Sequence, residues 1–174
     1  LTYQHQSPSE RSDERKAIMT KIKFRETELV IANTHLAWRK EDRPTRDEQM
    51  KELLEALRKI RIPAIICGDL NDIPESSPLE QTRAAGYENI LQIYHPDAIS
   101  WDNRNPFIQG HSARFPDRQI DYILVHELGS KILKTVQCQL AFNQANEKLI
   151  YSSDHYGIFA RINSISDSSK ARNV

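Results

Sequence analysis

Glycine is scarce in this 174-residue sequence: there are only five glycines, and they form no glycine-rich loop for phosphate. This scarcity argues against nucleotide-binding folds of the P-loop or Rossmann kind. Cysteine is scarcer still. Cys67 and Cys138 lie in apolar stretches without a Cys-x-x-Cys partner, which favours free core thiols over a disulfide. Free thiols suit a reducing compartment, so the location, otherwise unknown, is expected to be cytoplasmic.

The sequence also lacks a net charge and a long apolar run. Lys and Arg together number 24, as do Asp and Glu, so no overall basic field points to nucleic acid. Any attraction for phosphate must therefore be local. No segment approaches the roughly 18 apolar residues of a membrane span. The length and composition predict one domain with a substantial core.

Two common kinds of hydrolytic site are missing as well. The histidines and cysteines show no zinc spacing such as His-x-x-x-His or Cys-x-x-Cys. Ser153, Asp154 and His155 are consecutive and cannot form a mutual triad, and there is no Gly-x-Ser-x-Gly motif.

Hydrophobic periodicity predicts an α+β fold, with a mostly antiparallel or mixed sheet and flanking helices. An antiparallel hairpin is expected from Ala17–Phe24 and Leu29–Ala32. Apolar residues at positions 50, 53, 54, 57 and 60 form the stripe of an amphipathic helix, with a capping box at Thr45 and Glu48. Pro63 ends this helix before a strand that is apolar on both faces, residues 64–67.

The second half of the chain is less regular. A helix is predicted from Ser77, with a capping box completed by Glu80. Residues 87–119 show little periodicity and predict a long, functional loop. Further strands are expected at residues 120–125, 134–142 and 157–162, with Val136, Cys138 and Leu140 on one face of a half-exposed strand. Residues 1–16 are predicted to be a mobile arm, residues 17–162 the folded domain and residues 163–174 a disordered tail.

Isolated polar side chains stand at the ends or starts of four predicted strands. They are His35, Asp69 with Asn71, Asp121, and Asp154 with His155. Each alone is compatible with a turn former or an ordinary surface or core residue, and the set could be a chance collection. Together they match the needs of phosphate-ester hydrolysis: carboxylates for a hard divalent cation, donors to phosphate oxygens and a group that aligns or deprotonates water.

Four motifs, in chain order, resemble those of the endonuclease/exonuclease/phosphatase superfamily, the deoxyribonuclease-I-like group. They are Asn-Thr-His-Leu at 33–36, Gly-Asp-Leu-Asn-Asp at 68–72, Gln-Ile-Asp-Tyr-Ile-Leu-Val at 119–125 and Ser-Asp-His-Tyr-Gly-Ile at 153–158. The resemblance implies a four-layer sandwich of two sheets with helices outside, of which this chain would supply the C-terminal half. It also implies a divalent-metal-dependent phosphoesterase, preferentially a phosphodiesterase or nuclease.

The resemblance assigns roles to the polar side chains. His35 would contact or protonate phosphate oxygens, Asn71 would bind the scissile phosphate and Asp121 would orient His155. The general base stays open between Asp69 and His155. The implied catalytic residues are His35, Asp69, Asn71, Asp121 and His155, and the implied ligands of Mg²⁺, or alternatively Mn²⁺, are Asp69 and Asp154.

Residues 100–106 resemble a loop that lies beside the substrate in several branches of the superfamily. The implied substrate-binding residues are Trp101, Arg104 and Asn105. Trp101 either stacks on a substrate group or plugs the core beneath the loop. Basic residues near Trp101 and after His35 form either a rim for an anionic substrate or ordinary solvated charge; they are Arg39, Lys40, Arg43, Arg46, Arg104, Arg114 and Arg118. The substrate could be a nucleic acid, a nucleotide, or a lipid or inositol headgroup.

The sequence departs from the superfamily pattern before His35. No segment there matches the asparagine-bearing strand or the metal-binding glutamate of the first half, and Glu10, Glu14 and Glu26 are poor substitutes. An apolar sheet face should therefore be covered by a missing N-terminal half, a partner or self-association, and activity should be weak. The alternative is a catalytically silent binding or assembly module that retains the fold.

Overall fold

A computed structural model describes residues 1–9, 14–24, 27–111, 115–130 and 133–164. The strands are β1 (Ala17–Phe24), β2 (Thr27–His35), β3 (Ala64–Asp69), β4 (Tyr87–Asn89), β5 (Asp121–His126), β6 (Leu133–Ala141) and β7 (Gly157–Ser164). The helices are α1 (Arg43–Ile60), α2 (Ser77–Ala84), α3 (Ile90–Tyr94) and α4 (Glu127–Ser130), with 3-10 turns at Lys40–Asp42 and Ile108–Gly110. Within these ranges no helix has the length and apolar character to cross a membrane.

Two sheets form the body of the molecule. The first has the strand order β1-β2-β3-β5-β4, in which β2 and β3 run parallel while the other neighbours run antiparallel. The second is the antiparallel pair β6-β7. The prediction of an α+β fold with a mixed sheet and flanking helices is confirmed.

The first sheet is covered on both faces. The apolar stripe of α1, which includes Met50, Leu53 and Leu57, joins one buried cluster with the strand residues Val30, Ala32, Ala64 and Ile66. A second buried cluster lies on the opposite face, where Leu133 and Cys138 of β6 meet Leu29, Ile65 and Val125. Successive side chains of β3 therefore enter different cores, which explains why this strand is apolar on both faces. Cys67 and Cys138 are free, as predicted.

The N-terminal segment is packed against the domain, so the prediction of a mobile arm is wrong for residues 1–9 and 14–16. Tyr3 is 2% exposed, and its hydroxyl bonds to Thr34 Oγ1 at 2.7 Å. The backbone amides of Gln4 and His5 donate to Glu52 on α1. A polar composition does not show that one tyrosine and a distant carboxylate anchor the segment. Residues 10–13 lie outside the described ranges.

Several element boundaries also differ from the predictions. The helix α1 begins at Arg43, so Thr45 lies inside the helix and cannot cap it, and α2 has Ser76 as its N-cap without a side-chain bond. The predicted loop at 87–119 contains β4, α3 and a 3-10 turn, which are too short to show a period. The last strand includes positions 163 and 164 of the predicted tail, and residues 165–174 lie outside the described ranges.

Strand β6 departs from simple alternation. Its pairing with β7 shifts between Thr135 and Gln137. Such a bulge moves later side chains to the other face, so Leu133 and Cys138 are both buried while Val136 is 40% exposed. The predicted common face of Val136 with Cys138 is therefore wrong.

The two-stranded sheet is too narrow to cover the whole inner face of the five-stranded one. Ala17 and Met19 of β1 face the helices, so Ile18 and Ile22 point to the opposite side. There Ile18 is 71% and Ile22 36% exposed. An apolar part of the first sheet thus meets solvent at its β1 edge.

Candidate active site

Strand register places three polar side chains in one row. The parallel pairing of β2 with β3 sets His35 beside Asp69, and the antiparallel pairing of β3 with β5 sets Asp69 beside Asp121. Two strand ends and one strand start thus meet at the same edge of the sheet. The row requires both pairings at once, because a slip of one residue would turn a side chain to the other face.

Gly68 lets β2 and β3 approach closely next to this row. Its φ is 126°, and a Cβ added there would lie 2.0 Å from the carbonyl oxygen of Thr34. The chain then turns through Asn71, whose φ of 53° is one that asparagine tolerates better than most residues. The backbone amide of Asn71 donates to Asp69 Oδ1 at 2.8 Å, and the side-chain Nδ2 of Asn71 donates to the Leu36 carbonyl at 3.0 Å. These bonds fix the Asp69 carboxylate and the Asn71 side chain.

Trp101 brings His155 to the row. Its backbone forms antiparallel bridges with both Arg118 and His155. The neighbouring Ser100 accepts bonds through Oγ from the amides of Ile120 and Asp121, at 3.0 and 3.1 Å. The segment around residue 100 therefore joins the start of β5 to the segment before β7.

Two imidazoles converge on the Asp69 carboxylate. His35 Nε2 lies 3.3 Å and His155 Nε2 lies 4.0 Å from Asp69 Oδ2. The other ring nitrogen of His155, Nδ1, bonds to Asp121 Oδ2 at 2.9 Å. Because a carboxylate only accepts, Nδ1 carries the proton, and Nε2 faces Asp69.

The site contains carboxyl groups with opposite pKa shifts. Burial and the nearby charge of Asp121 raise the pKa of Asp69 to about 7, against the opposing effects of His155 and the Asn71 amide. Burial also acts to raise the pKa of Asp154, but a bond from Ser153 and the charges of nearby histidines bring this pKa below its ordinary value. Asp154 is thus ionised at neutral pH, whereas Asp69 titrates near neutrality.

The pKa of His155 is raised as a net result of opposing causes. Burial alone would lower the pKa of this imidazole. The hydrogen bond that His155 donates to Asp121 and the charges of Asp121 and Asp69 outweigh burial. The imidazolium is therefore stabilised by the same carboxylate that orients the ring.

A cavity of about 350 Å³ opens over this cluster. The Trp101 ring forms one wall between His111 and His155, edge to face with each and 5.1 Å away. The Arg118 guanidinium lies 3.9 Å from the Phe115 ring centroid and makes no ion pair within the described part of the chain. The complete lining is Arg15, His35, Trp38, Asp69, Asn71, Trp101, His111, Phe115, Arg118, Ile120, Asp154 and His155.

A family model described as endonuclease/exonuclease/phosphatase family matches residues 5–155. The chain belongs to the endonuclease/exonuclease/phosphatase family. The superfamily resemblance of the four sequence motifs is confirmed. No curated protein sequence matches the chain.

Solved structures share the fold at low sequence identity. They include D. rerio TDP2 complexed with a single-strand DNA product (TM-score 0.71, 17% identity, 86% of this chain and 62% of that one). The human Nocturnin catalytic domain with bound sulfate has a TM-score of 0.65 and 21% identity over 87% of this chain and 54% of its own. Staphylococcus aureus beta toxin has a TM-score of 0.65 and 18% identity over 92% and 61%. The chain thus spans less than two thirds of each.

Within this family fold, most of the predicted site residues come together. His35, Asp69, Asn71, Trp101, Asp154 and His155 line the cavity, and Asp121 supports His155. Trp101 is 6% exposed, so it is both a cavity wall and a core residue.

Arg104 and Asn105 differ from the other predicted site residues, because neither lines the cavity. Asn105 is fully buried, and its Nδ2 donates to the carbonyls of Ser153 and Asp154 at 2.8 and 3.3 Å. Arg104 forms an ion pair with Asp102 at 2.7 Å. Asn105 thus joins the loop to the segment before β7, and the contact of Arg104 and Asn105 with a substrate stays a prediction.

The predicted arginine rim reduces to one described member of the cavity lining, Arg118. Arg46 is instead buried and paired with Asp72 at 2.9 Å, and Arg114 lies outside the described residues.

The sequence interpretation missed five lining residues, of which Ile120 was predicted only as part of a strand. Arg15 fell within the segment predicted to be mobile, and His111 and Phe115 fell within the stretch without a period. Trp38 carried a usable signal, because an aromatic side chain three residues after His35 follows a strand end.

Three donor groups are close enough to share a cation. Ligand atoms of Asp69, Asp121 and His155 all lie within 4.8 Å of one another. An oxygen-rich set fits a hard divalent cation. The charge of Asp121 helps to raise the pKa of Asp69, and a cation between the two carboxylates would relieve this repulsion. Asp154 is outside this group, and its carboxylate lies 3.0 Å from His111 Nε2. The predicted ligand pair of Asp69 with Asp154 stays a prediction, and this group adds Asp121 and His155 as candidate ligands.

Proposed function

We propose that the chain carries the hydrolytic site of a divalent-metal-dependent phosphodiesterase, of the nuclease type. The observation that carries the proposal is the convergence of His35 and His155 on Asp69, with Asp121 behind His155. Candidates for a base, for phosphate-oxygen donors and for cation ligands thus lie at or beside one cavity, which supports the proposal. Family membership supports the same class of chemistry.

His155 is the proposed general base. The Asp121 bond holds the Nδ1 proton and leaves Nε2 to take the proton from a water molecule in the cavity. His35 and the second N–H of the Asn71 side chain donate to oxygens of the phosphate. Arg118, which forms no ion pair within the described residues, attracts the anionic substrate.

Asp69 and Asp121 are the proposed ligands of Mg²⁺ or Mn²⁺, with the ionised carboxylate of Asp154 on the cavity wall. A bound divalent cation would neutralise negative charge on the phosphate and lower the pKa of water.

The proposed substrate class is a diester that contains a nucleotide. Trp38, Trp101 and Phe115 provide aromatic surface beside the phosphate-binding groups, and bases stack on aromatic side chains. The TDP2 neighbour is complexed with a single-strand DNA product, which supports this choice over a lipid or inositol headgroup.

A hydrolysis assay with three substrates tests the proposal. A single-stranded oligonucleotide, p-nitrophenyl phosphorylcholine and an inositol phosphate are each offered with Mg²⁺ and with EDTA. Oligonucleotide cleavage that requires Mg²⁺ and falls at least about 100-fold in His155→Ala is expected. The matched control is His5→Ala, because His5 pairs with Glu52 outside the cavity. Oligonucleotide binding without any turnover would instead identify a silent binding module.

We also propose that a further layer covers Ile18 and Ile22, either strands from sequence outside these residues or a second copy. The exposure of both side chains and the chain's span of 62% of the TDP2 neighbour support this proposal.

A further inference from the structure

A second concave surface lies on the helix layer, away from the candidate active site. It is a groove of about 530 Å³ whose lining includes Ile62, just before β3, and His126, at the end of β5. Because β3 and β5 are antiparallel, these residues lie at the end of the sheet opposite Asp69. The strand length separates the groove from the active site by roughly 20 Å.

The floor of this distal groove is apolar. It is formed by Leu54 and Leu57 of α1, Ile62, Ala85 after α2, and Tyr87 of β4. A concave apolar floor between two helices is the shape that receives a third helix.

The rim of the groove is positively charged. Lys51, Arg58 and Arg61 line it, with Glu55 as the one carboxylate in the lining. Lys51 is paired with Glu48 at 3.4 Å, whereas Arg58 and Arg61 form no ion pair within the described residues. Two cations are thus available to a partner.

Arg61 stands in a position that disfavours it. It follows α1 with a left-handed φ of 59°, where glycine is the least strained residue. This turn leaves Arg61 in the groove lining directly after the last turn of α1.

We propose that the distal groove binds an acidic amphipathic helix of a partner protein. The groove follows α1 from Lys51 to Arg61, a rise of about 15 Å, which matches about three turns of a second helix. Apolar side chains of the partner fill the floor, and its carboxylates face Arg58 and Arg61. Charge complementarity selects an acidic partner, and the apolar floor selects an amphipathic helix over a nucleic acid.

Binding of two synthetic peptides of about 14 residues tests the proposal. Both carry leucine at helical i, i+3, i+4 and i+7 spacing; one has glutamate and the other lysine on the remaining face. Fluorescence anisotropy should show binding of the acidic peptide and at least about tenfold weaker binding of the lysine peptide. Binding of the acidic peptide should weaken by a similar factor in the double variant Arg58→Glu, Arg61→Glu.

The matched control is Lys59→Glu, which changes the same charge on the same helix outside the groove lining. Its affinity for the acidic peptide should stay within about twofold of the wild type. Amide NMR shifts on binding should cluster at Ile62, Gln81 and Ala85. Equal affinity for both peptides, unchanged affinity in the double variant, or no binding up to about 1 mM would overturn the proposal.

Discussion

At the scale of single residues, the hydrogen bond between Asp121 and His155 sets the protonation of the proposed base. Replacing Asp121 with asparagine keeps an acceptor for Nδ1 but removes the negative charge. The pKa of His155 should then fall, because the charge of Asp121 helps to raise it, and the acid limb of the pH–rate profile should move to lower pH. Turnover should drop by about 10²- to 10⁴-fold, because the amide can donate as well as accept and so no longer fixes the ring tautomer.

Proton NMR titration of the His155 ring in EDTA measures this pKa directly. The Asp97→Asn variant, which removes the same charge from an exposed position outside the cavity lining, should leave it unchanged. An unaltered His155 pKa in Asp121→Asn would refute the pairing.

The Asp69 carboxyl should make stability depend on pH. Its pKa is about 7 in the folded protein, above the unfolded value of about 3.9, so folding favours the protonated form. The stabilising contribution of the Asp69 carboxyl to the wild-type fold is therefore lost as pH rises from about 4 to about 7. As the pH rises from about 4.5 to about 8, the free energy of unfolding of Asp69→Asn should increase relative to the wild type by on the order of 2 to 4 kcal/mol. Urea unfolding in EDTA measures this difference.

Asp154→Asn provides a control of opposite sign. Because the folded pKa of Asp154 is lowered, its carboxylate stabilises the fold above the unfolded pKa, and this contribution is lost at acid pH. The variant should lose stability relative to the wild type as pH rises from acid to neutral. The same pH trend in both variants would contradict the assigned shifts.

At the scale of elements, the first turns of α1 clamp the segments that follow β2 and β3. Arg46 is 5% exposed; its Nε donates to Asp72, and its Nη1 donates to the carbonyls of Ala37 and Arg39. Gln49 accepts from the Ala37 amide at 3.0 Å. The helix therefore sets the relative position of the segments next to His35 and Asn71.

Breaking this clamp should be costly. Arg46→Met leaves the Asp72 carboxylate buried without its partner, so we expect a loss of about 3–5 kcal/mol in the free energy of unfolding. Arg58→Met changes an exposed arginine of the same helix and should stay within about 0.5 kcal/mol. Urea unfolding measures both. Equal effects of the two substitutions would show that the clamp contributes nothing.

The same elements show what a local pattern can predict. The stripe of α1 and the double apolar face of β3 were predictable, because each depends on the spacing of near neighbours. The row of His35, Asp69 and Asp121 was predictable only as three strand ends, since the register between strands is not written in any one of them. Asn105 was predicted to contact the substrate because residues 100–106 resemble a substrate loop. Its bonds to the carbonyls of Ser153 and Asp154 join positions 48 and 49 residues apart, so no local pattern could show them.

At the scale of the whole molecule, the unequal widths of the two sheets predict association. Hiding the apolar surface of Ile18 and Ile22 is favourable by roughly 25 cal/mol per Å². Sedimentation velocity should show self-association of the 174-residue chain, and the double variant Ile18→Asn, Ile22→Asn should move it toward monomer. Leu149→Asn, at a residue 80% exposed in the segment between β6 and β7, should not. A monomeric wild type at about 100 μM would argue against a second copy on this face.

Four short motifs predicted the family, because each joins a strand end to a polar side chain. They did not predict the packed N-terminal segment, which depends on Tyr3 reaching Thr34 across the fold.

Cleavage of a thymidine dinucleotide, followed by ³¹P NMR, tests the central claim most directly. We expect the diester signal to give way to one monoester signal with Mg²⁺ and the wild-type chain, and to persist with EDTA or with His155→Ala. His5→Ala should cleave at the wild-type rate. Mg²⁺-dependent cleavage that persists in His155→Ala would contradict the assignment of the site, and the absence of cleavage by the wild type would contradict the proposed activity.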